Sequence, residues 1–538
     1  MVCIVIPMSG IGKRFIDAGY KVPKPLIEVD GKCIIEHVIN LFDIKKDKYI
    51  FICNSEHLNN TNMRTILNEI CPSGKIYEVP NEGRQGPVHA VSLIFDNIFN
   101  DEEVIVSYCD YGTEWEYENF LKDTRERNAD GAIACYKGFH PHMLGTDNYA
   151  FLKEKELGSQ WMEQIQEKKP FTNNRMEEYA SNGTYYFKTG TIMKKYFKQL
   201  MDLKQTINNE YYVSMVYNLL VNDGLKVNIF EIEKMLQWGT PYDLEIYNKW
   251  SNYFKNICEK QNNYEDKYNT TLILPMAGAG SRFSKKNYKD PKPLIDVNGK
   301  PMIIQAVNCL PKTSNQIFIC QKEHLESHPL EKNIKKYYDK SRIYGINYIT
   351  QGQACTCEIG LNNLNMNNEM PILISACDNG VYYDVNKYND LLNDKSIDII
   401  VWTFRNEPTS RNNPDMYAWV ETDSNDCVKS ISCKKFIKEI HDINNSHVII
   451  GTMFFRKAKN FIDGLNENYK YNIRSNNEFY VDDVLNQNIK AGLKVKVFEV
   501  DHYICWGTPD DYETYIYWQD FFNKCIWHPY NIEKDTTS

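Results

Sequence analysis

The 538-residue chain has no long run of Lys or Arg, and its net charge is −9. Binding a nucleic-acid backbone requires a basic face that releases counterions, so nucleic acid is not the expected partner. A small anion remains allowed, because a few local cations can hold one. No segment is apolar over the roughly 20 residues that a bilayer span needs. The N-terminus has no basic leader and Pro7 breaks its short apolar run, so neither a signal peptide nor an anchor is expected. Zinc-type spacing is missing among the 16 cysteines, since the one C-x-C, Cys355 and Cys357, has no partner pair. Thiols placed inside apolar runs, such as "FIC" at 51–53 and 318–320, read as buried and reduced. That usage fits a cytoplasmic setting.

What the sequence does contain is a repeat. "PMSGIGKRFIDAGYKVPKPLIEVDGK" fills 7–32, and "PMAGAGSRFSKKNYKDPKPLIDVNGK" fills 275–300. Gly10 pairs with Gly278, Lys24 with Lys292 and Asp110 with Asp378, each 268 positions apart. "GTYYF" (183–187) matches "GTMFF" (451–455), "NEYYV" (209–213) matches "NEFYV" (477–481), and "WGTP" recurs at 238–241 and 506–509. "ICNSEHL" and "ICQKEHL" lie 267 apart, so a one-residue insertion or deletion intervenes. Blocks in register over the whole unit mean two copies of one domain, 1–255 and 271–525. Residues 256–270 read as a polar linker and 526–538 as a polar, fraying tail.

Each copy opens with a short apolar run, Cys3–Ile6 or Leu272–Leu274, followed by a glycine loop. That pattern suits a buried parallel strand. Ile34, Ile35, Val38, Ile39 and Phe42 mark one face of a helix. "YIFIC" (49–53) is a further strand, and "EVIVSYCD" and "PILISACD" are apolar runs ending on an acid. Strands alternating with helices predict two tandem Rossmann-like α/β domains, each with a mostly parallel mixed sheet. Ligands in such sheets sit beyond the strand C-termini, so the glycine loop and the acid should meet at one edge.

The loop G-x-G-x-R-F admits three readings. A dinucleotide fingerprint wants a third glycine where Phe15 and Phe283 stand, and a Walker loop wants G-x-x-x-x-G-K-[ST]. A plain turn would explain a lone glycine pair. The surroundings speak against that turn. Each loop is followed by an Arg and by a Lys fixed between two prolines, which stiffen the strut that carries it. Glycines let loop amides approach phosphate oxygens, and Arg adds a planar fork. Together these groups describe a cradle for a nucleoside triphosphate.

G-x-G-x-R-F followed by P-K-P-L and an "NGKPM" turn resembles the sugar-1-phosphate nucleotidylyltransferase superfamily, and the resemblance covers both copies nearly end to end. It implies transfer of a nucleotidyl group from an NTP to a small phosphomonoester, with release of pyrophosphate. It implies that Gly10, Gly12, Gly278, Gly280 and Ser281 wrap the triphosphate. Arg14 and Arg282 would face the departing pyrophosphate, and Lys24 and Lys292 the reacting centre. Asp110 and Asp378 would hold Mg²⁺, with Asp482 as a second metal ligand. Gln85-Gly86 and Gln351-Gly352 would contact the base. On the acceptor side, Glu167 and Lys168 resemble an E-K-P element, and Asn182-Gly183 a sugar contact. The resemblance also allows an oligomer, with the two copies packing as a pseudo-dimer.

The copies differ. Ser214 stands where copy 2 has Asp482, while Cys433 replaces Glu167 and Ile450 replaces Asn182. Pro87 of copy 1 corresponds to Gln353. His140 and His142 read as loop residues, Trp238 and Trp506 as core anchors, and Tyr211 and Tyr212 as packing. Two other classes compete with the enzyme. A metal-dependent glycosyltransferase would favour D-x-D, but the acids here are single. A non-catalytic nucleotide-binding protein would be expected to lose the cradle's Arg or Lys, yet both copies keep both. The sequence names neither the base nor the acceptor.

Overall fold

The computed structural model describes residues 1–259, 266–278, 280–363 and 367–535. Residues 260–265 of the expected linker, 536–538 of the expected tail and Ala279 of the second glycine loop lie outside that set. The chain divides into two units, Met1–Ser251 and Asn252–Ser538.

Nine strands of the first unit form one mixed sheet. They are β1 (Val2–Met8), β2 (Lys48–Asn54), β3 (Lys75–Val79), β4 (Glu103–Ser107), β5 (Gly131–Tyr136), β6 (Ala150–Glu154), β7 (Met162–Glu167), β8 (Tyr179–Phe187) and β9 (Val227–Glu231). Their order is β3-β2-β1-β4-β8-β5-β9, and the hairpin β6–β7 pairs with the start of β8. The run β3-β2-β1-β4 is parallel, whereas β8 opposes its neighbours. β1 is central and covered on both faces, which is why it reads as continuous apolar sequence rather than alternation. The helix Ile34–Ile39 buries Ile34, Ile35, Val38 and Ile39, the stripe its spacing predicts.

The second unit repeats the plan. Its strands are β10 (Thr271–Met276), β11 (Asn315–Gln321), β12 (Arg342–Ile346), β13 (Ile372–Ile374), β14 (Ile399–Phe404), β15 (Ala418–Thr422), β16 (Val428–Cys433), β17 (His447–Phe455) and β18 (Val495–Glu499). The order is β12-β11-β10-β13-β17-β14-β18, with the hairpin β15–β16 on β17. The expected pair of tandem α/β sheets is thus what the chain forms.

Through residue 535 the tail is docked, not frayed. Tyr530 and Asp535 are buried, Tyr530 Oη donates to Asp535 Oδ2 at 2.9 Å, and Gln519 Nε2 donates to Tyr530 Oη at 3.1 Å. The aromatic side chains of this segment supply the apolar area that a purely polar tail would lack; the Tyr530 ring lies 4.6 Å from that of Phe254. Among the described residues no helix is long and apolar enough to cross a membrane. All sixteen cysteines are free thiols.

Candidate active site

β1 ends at Met8, and the chain leaves the sheet through the loop 9–12 into the helix Lys13–Asp17. Gly12 caps that helix with φ 68°, a left-handed conformation that glycine adopts without strain. A Cβ there would lie 3.6 Å from the Lys24 Cβ, so the loop passes directly beside the lysine strut. Gly280 repeats the arrangement with φ 58° and 3.7 Å to Lys292. Lys24 itself starts a short 3₁₀ turn, Lys24–Leu26, whose Pro25 and Leu26 are buried. The proline and the anchored leucine fix where the ammonium emerges.

The acid beyond β4 receives it. Lys24 Nζ donates to Asp110 Oδ2 at 2.7 Å across 86 residues of sequence. Burial pulls the Lys24 ammonium down, but Asp110 and Cys109 more than offset it, so its pKa is raised. In the second unit Lys292 Nζ donates to Asp378 Oδ2 and, at 3.1 Å, to the Gly507 carbonyl; its pKa is raised for the same reason. Asp110 is followed by a small ribbon in which Tyr111–Glu114 pairs with Lys234–Gln237. That ribbon brings Gly239 against the Asp110 carboxylate, where a Cβ would lie 3.0 Å from Oδ2.

Two cavities of the first unit meet at this lysine–aspartate pair. One, of about 650 Å³, is lined by Gly10, Gly12, Lys24, Arg84, Gly86 and Asp110. The other, of about 450 Å³, shares Gly10, Gly12, Lys24 and Asp110 and adds Arg14, Glu167, Lys168, Asn182 and Gly183. Tyr108, Glu210 and Tyr212 line both. Arg14 is exposed and forms no ion pair among the described residues.

The second cavity is a polar pocket with specific tethers. Glu167, at the end of β7, has its carboxyl pushed up by burial and accepts from Ser214 Oγ at 2.6 Å. Lys168, at φ 57°, sends Nζ to Tyr212 Oη at 2.7 Å, and Tyr212 Oη donates onward to Glu210 Oε2 at 2.5 Å. Asn182 is 2% exposed; its Oδ1 accepts from the Thr184 amide at 2.9 Å, but its Nδ2 has no partner among the described residues. A buried donor left over in this way is costly unless a ligand takes it. Gly183, at φ 101°, allows close approach of Tyr108, whose ring would lie 3.1 Å from a Cβ there.

Not every expected residue lies at the cleft. Gln85 is exposed and lines neither cavity; its carbonyl accepts from the Tyr211 amide at 2.8 Å. Arg84 faces the larger cavity instead, donating to the Ser9 carbonyl at 3.0 Å, and Gly86 lines the same cavity at φ 90°. Gln351 likewise turns away and accepts from Arg474 Nη2 at 2.6 Å. A cavity of about 460 Å³ in the second unit is lined by Gly278, Gly280, Ser284, Lys292, His324 and His328, while Ser281 and Arg282 are exposed outside it. Asp482 does not line it either. It sits on the helix Val481–Lys490 and accepts from Cys433 Sγ at 3.8 Å, its carboxyl pushed up to about 6 by burial and by Asp483, against Lys434. Its partners are those of the acceptor side, not of Asp378. His140 and His142 pack against Tyr136 and line neither cavity; His142 also stacks edge-on to Tyr149, which does. Sequence reading missed Arg84, Tyr108, Glu210, Tyr212 and Gln237. Only Arg84, in a glycine-flanked loop after a strand, carried a local signal.

Among the described residues no three His, Cys, Asp or Glu side chains are grouped to hold a metal by themselves. The donor set still fits Mg²⁺, which takes one or two carboxylates and completes its shell with phosphate oxygens and water. Asp110 offers a second oxygen, Oδ1, that accepts no hydrogen bond among the described residues.

The model of the nucleotidyl transferase family matches residues 4–228, nearly all of the first unit. The first unit is thus similar to the nucleotidyl transferase family, and the second unit repeats its motifs and strand order. The chain is similar to a solved nucleoside-diphosphate-sugar pyrophosphorylase from Vibrio cholerae RC9 (23% identity, 46% of this chain and 99% of that one, TM-score 0.39). It is similar to a UDP-glucose pyrophosphorylase from Acinetobacter baumanii (17%, 48% and 94%, TM-score 0.37). It is also similar to an inositol-1-phosphate CTP transferase from T. maritima (17%, 46% and 93%, TM-score 0.36). No curated protein matches the chain.

Proposed function

We propose that the chain transfers a nucleotidyl group from an NTP to a sugar phosphate or related phosphomonoester. An oxygen of the acceptor phosphate attacks the α-phosphorus. The bond from that phosphorus to the bridging oxygen breaks, and the electron pair leaves with pyrophosphate. Such a reaction needs positioning and charge neutralisation more than covalent catalysis.

The observation that carries this reading is the meeting of two cavities at Lys24 and Asp110. The larger cavity, with its glycine loop and Arg84, suits the triphosphate and base. The smaller one, with Asn182 Nδ2 unpartnered and Glu167 tethered, suits a hydroxylated acceptor. The reacting phosphorus then lies between them, beside the Lys24 ammonium. Arg14, on the helix Lys13–Asp17, lines the smaller cavity and forms no ion pair among the described residues, which leaves it for an anionic group. Asp110 and Asp378 are the residues that would hold Mg²⁺, whose charge would neutralise phosphate oxygens. Lys24 bonds the carboxylate that such an ion would use, so a bound cation would have to share Asp110 with the lysine.

The test is pyrophosphate release from four NTPs against a panel of phosphomonoesters, with and without Mg²⁺. Turnover with at least one pair is expected. Silence across the panel, from protein that is folded by circular dichroism, would overturn the proposal.

A further inference from the structure

The two units keep the glycine loop, the lysine strut and the strand-end acid, although Thr350 stands where the first unit has Arg84, and they differ more widely on the acceptor side. Ser181, Asn182, Tyr185 and Gln237 line the acceptor cavity of the first unit. At the same repeat positions the second unit has Ile449, Ile450, Met453 and Cys505. Ile449 and Ile450 are 6% and 4% exposed, in the part of β17 that corresponds to the Asn182 stretch of β8. The correspondence is geometric as well as sequential. Gly451 follows Ile450 with φ 87°, as Gly183 follows Asn182 with φ 101°. A Cβ on Gly451 would meet Ala376 at 3.3 Å, where one on Gly183 would meet the Tyr108 ring.

The charged pair is exchanged rather than lost. In the first unit the strand carries the carboxylate, Glu167, and the helix carries the donor, Ser214. In the second unit the helix carries the carboxylate, Asp482, and the strand carries the donor, Cys433. The acid and its donor are swapped across the same gap, and the second unit's helix adds a further buried carboxylate, Asp483. The exchange retains a partnered acid, Asp482, while clearing the strand edge of a long polar side chain.

We infer that the second unit takes a phosphomonoester whose carbon body bears few hydroxyls, while the first takes a polyhydroxylated one. This rests on the nucleotidyl transfer proposed above. The cradle of the second unit would bring the same attack on the α-phosphorus to an acceptor recognised through its phosphate and apolar body. At the positions of Ser181, Asn182, Tyr185 and Gln237, two isoleucines, a methionine and a thiol offer no strong hydrogen bond to a sugar hydroxyl, which leaves Asp482 and Asp483 as the acids on that side. Discrimination should be asymmetric. A site built to hydrogen-bond a hydroxyl rejects the analogue lacking it by about 10⁴-fold, whereas an apolar pocket disfavours an added hydroxyl by about 10²-fold.

Pyrophosphate release by the full chain tests this, with a hexose 1-phosphate and n-propyl phosphate as acceptors. Lys292→Ala leaves the first unit to report, and it should favour the hexose phosphate by 10³-fold or more in kcat/KM. Lys24→Ala leaves the second, and the order should reverse, with propyl phosphate favoured by at least tenfold. The wild-type chain supplies a check that needs no substitution: both acceptors at saturation should give additive rates. The same order of preference in both variants, or mutual competition between the acceptors in the wild type, overturns the inference. So does a Lys24→Ala protein that binds NTP yet turns over neither acceptor. A wild-type chain silent with every acceptor refutes the transfer reaction itself, and is told apart by that.

Discussion

The Lys24→Ala substitution separates a structural role for the lysine–aspartate pair from a chemical one. In the folded protein the ammonium donates to Asp110 at 2.7 Å, and the two side chains remain 21% and 25% exposed. At that exposure solvent screens the pair, and its net contribution to folding is about 1 kcal/mol. The loss of a positive charge facing the transition state is larger. Removing one such group costs about 2.7–4 kcal/mol, or 10²–10³ in rate. The catalytic cost therefore exceeds the folding cost. Placed in a Lys292→Ala background, so that only the first unit reports, Lys24→Ala should lower kcat by 10²–10³ while the melting temperature falls by only a few degrees. The lysine also competes with Mg²⁺ for Asp110, so Asp110→Asn should tighten metal-free NTP binding even as turnover falls. Calorimetry without Mg²⁺ measures that. With Asp110 neutral, burial and Arg14 oppose only Cys109 at Lys24, and its pKa should come down. A Lys24→Ala rate within threefold of its parent would refute the reasoning, as would Asp110→Asn binding metal-free NTP more weakly.

Three further outcomes follow from particular contacts. Asn182→Ala should raise the acceptor KM of the first unit about fivefold and leave NTP binding unchanged, since one hydrogen bond is worth about 1 kcal/mol; steady-state kinetics with each substrate varied will check this. Gly352→Ala should destabilise the second unit by more than about 2 kcal/mol in denaturant melts, because its Cβ would lie 2.5 Å from the Phe479 backbone at φ 141°; Gly10→Ala, with open space around it, should fold normally. Asp482, held near pKa 6 against an ordinary 3.8, binds its proton more tightly folded than unfolded, so the folded state loses stability as pH rises from about 4 to about 6. Asp482→Asn should therefore be more stable than the parent at pH 7, by on the order of 1–3 kcal/mol, with the gap closing below about pH 4 in urea melts.

Much of the fold was legible because it is written locally. A central parallel strand must be apolar on both faces, so Val2–Met8 and Thr271–Met276 announce themselves without reference to partners. The stripe from Ile34 to Ile39 needs only the helical period. The tail misled because its polar residues outnumber the few aromatic groups that dock it. At the site, glycines and prolines were readable because their backbone constraints are intrinsic. Gln85 is exposed and lines neither cavity because a loop residue's direction is set by the path of the whole loop, which the local sequence does not show.

The sequence by itself determined that there are two copies, that each begins with a buried strand and a glycine loop, and that a lysine fixed between prolines follows. Those features depend on residue type and spacing over a dozen positions or so. Only the tertiary structure decided that Lys24 meets Asp110, that Arg84 rather than Gln85 faces the cleft, and that Ser214 and Glu167 form one pair whose counterpart is Cys433 and Asp482. These partners come from different strand ends and helices. What joins them is the order in which strands assemble across the sheet, and that order is set by the packing of the whole core rather than by any one segment.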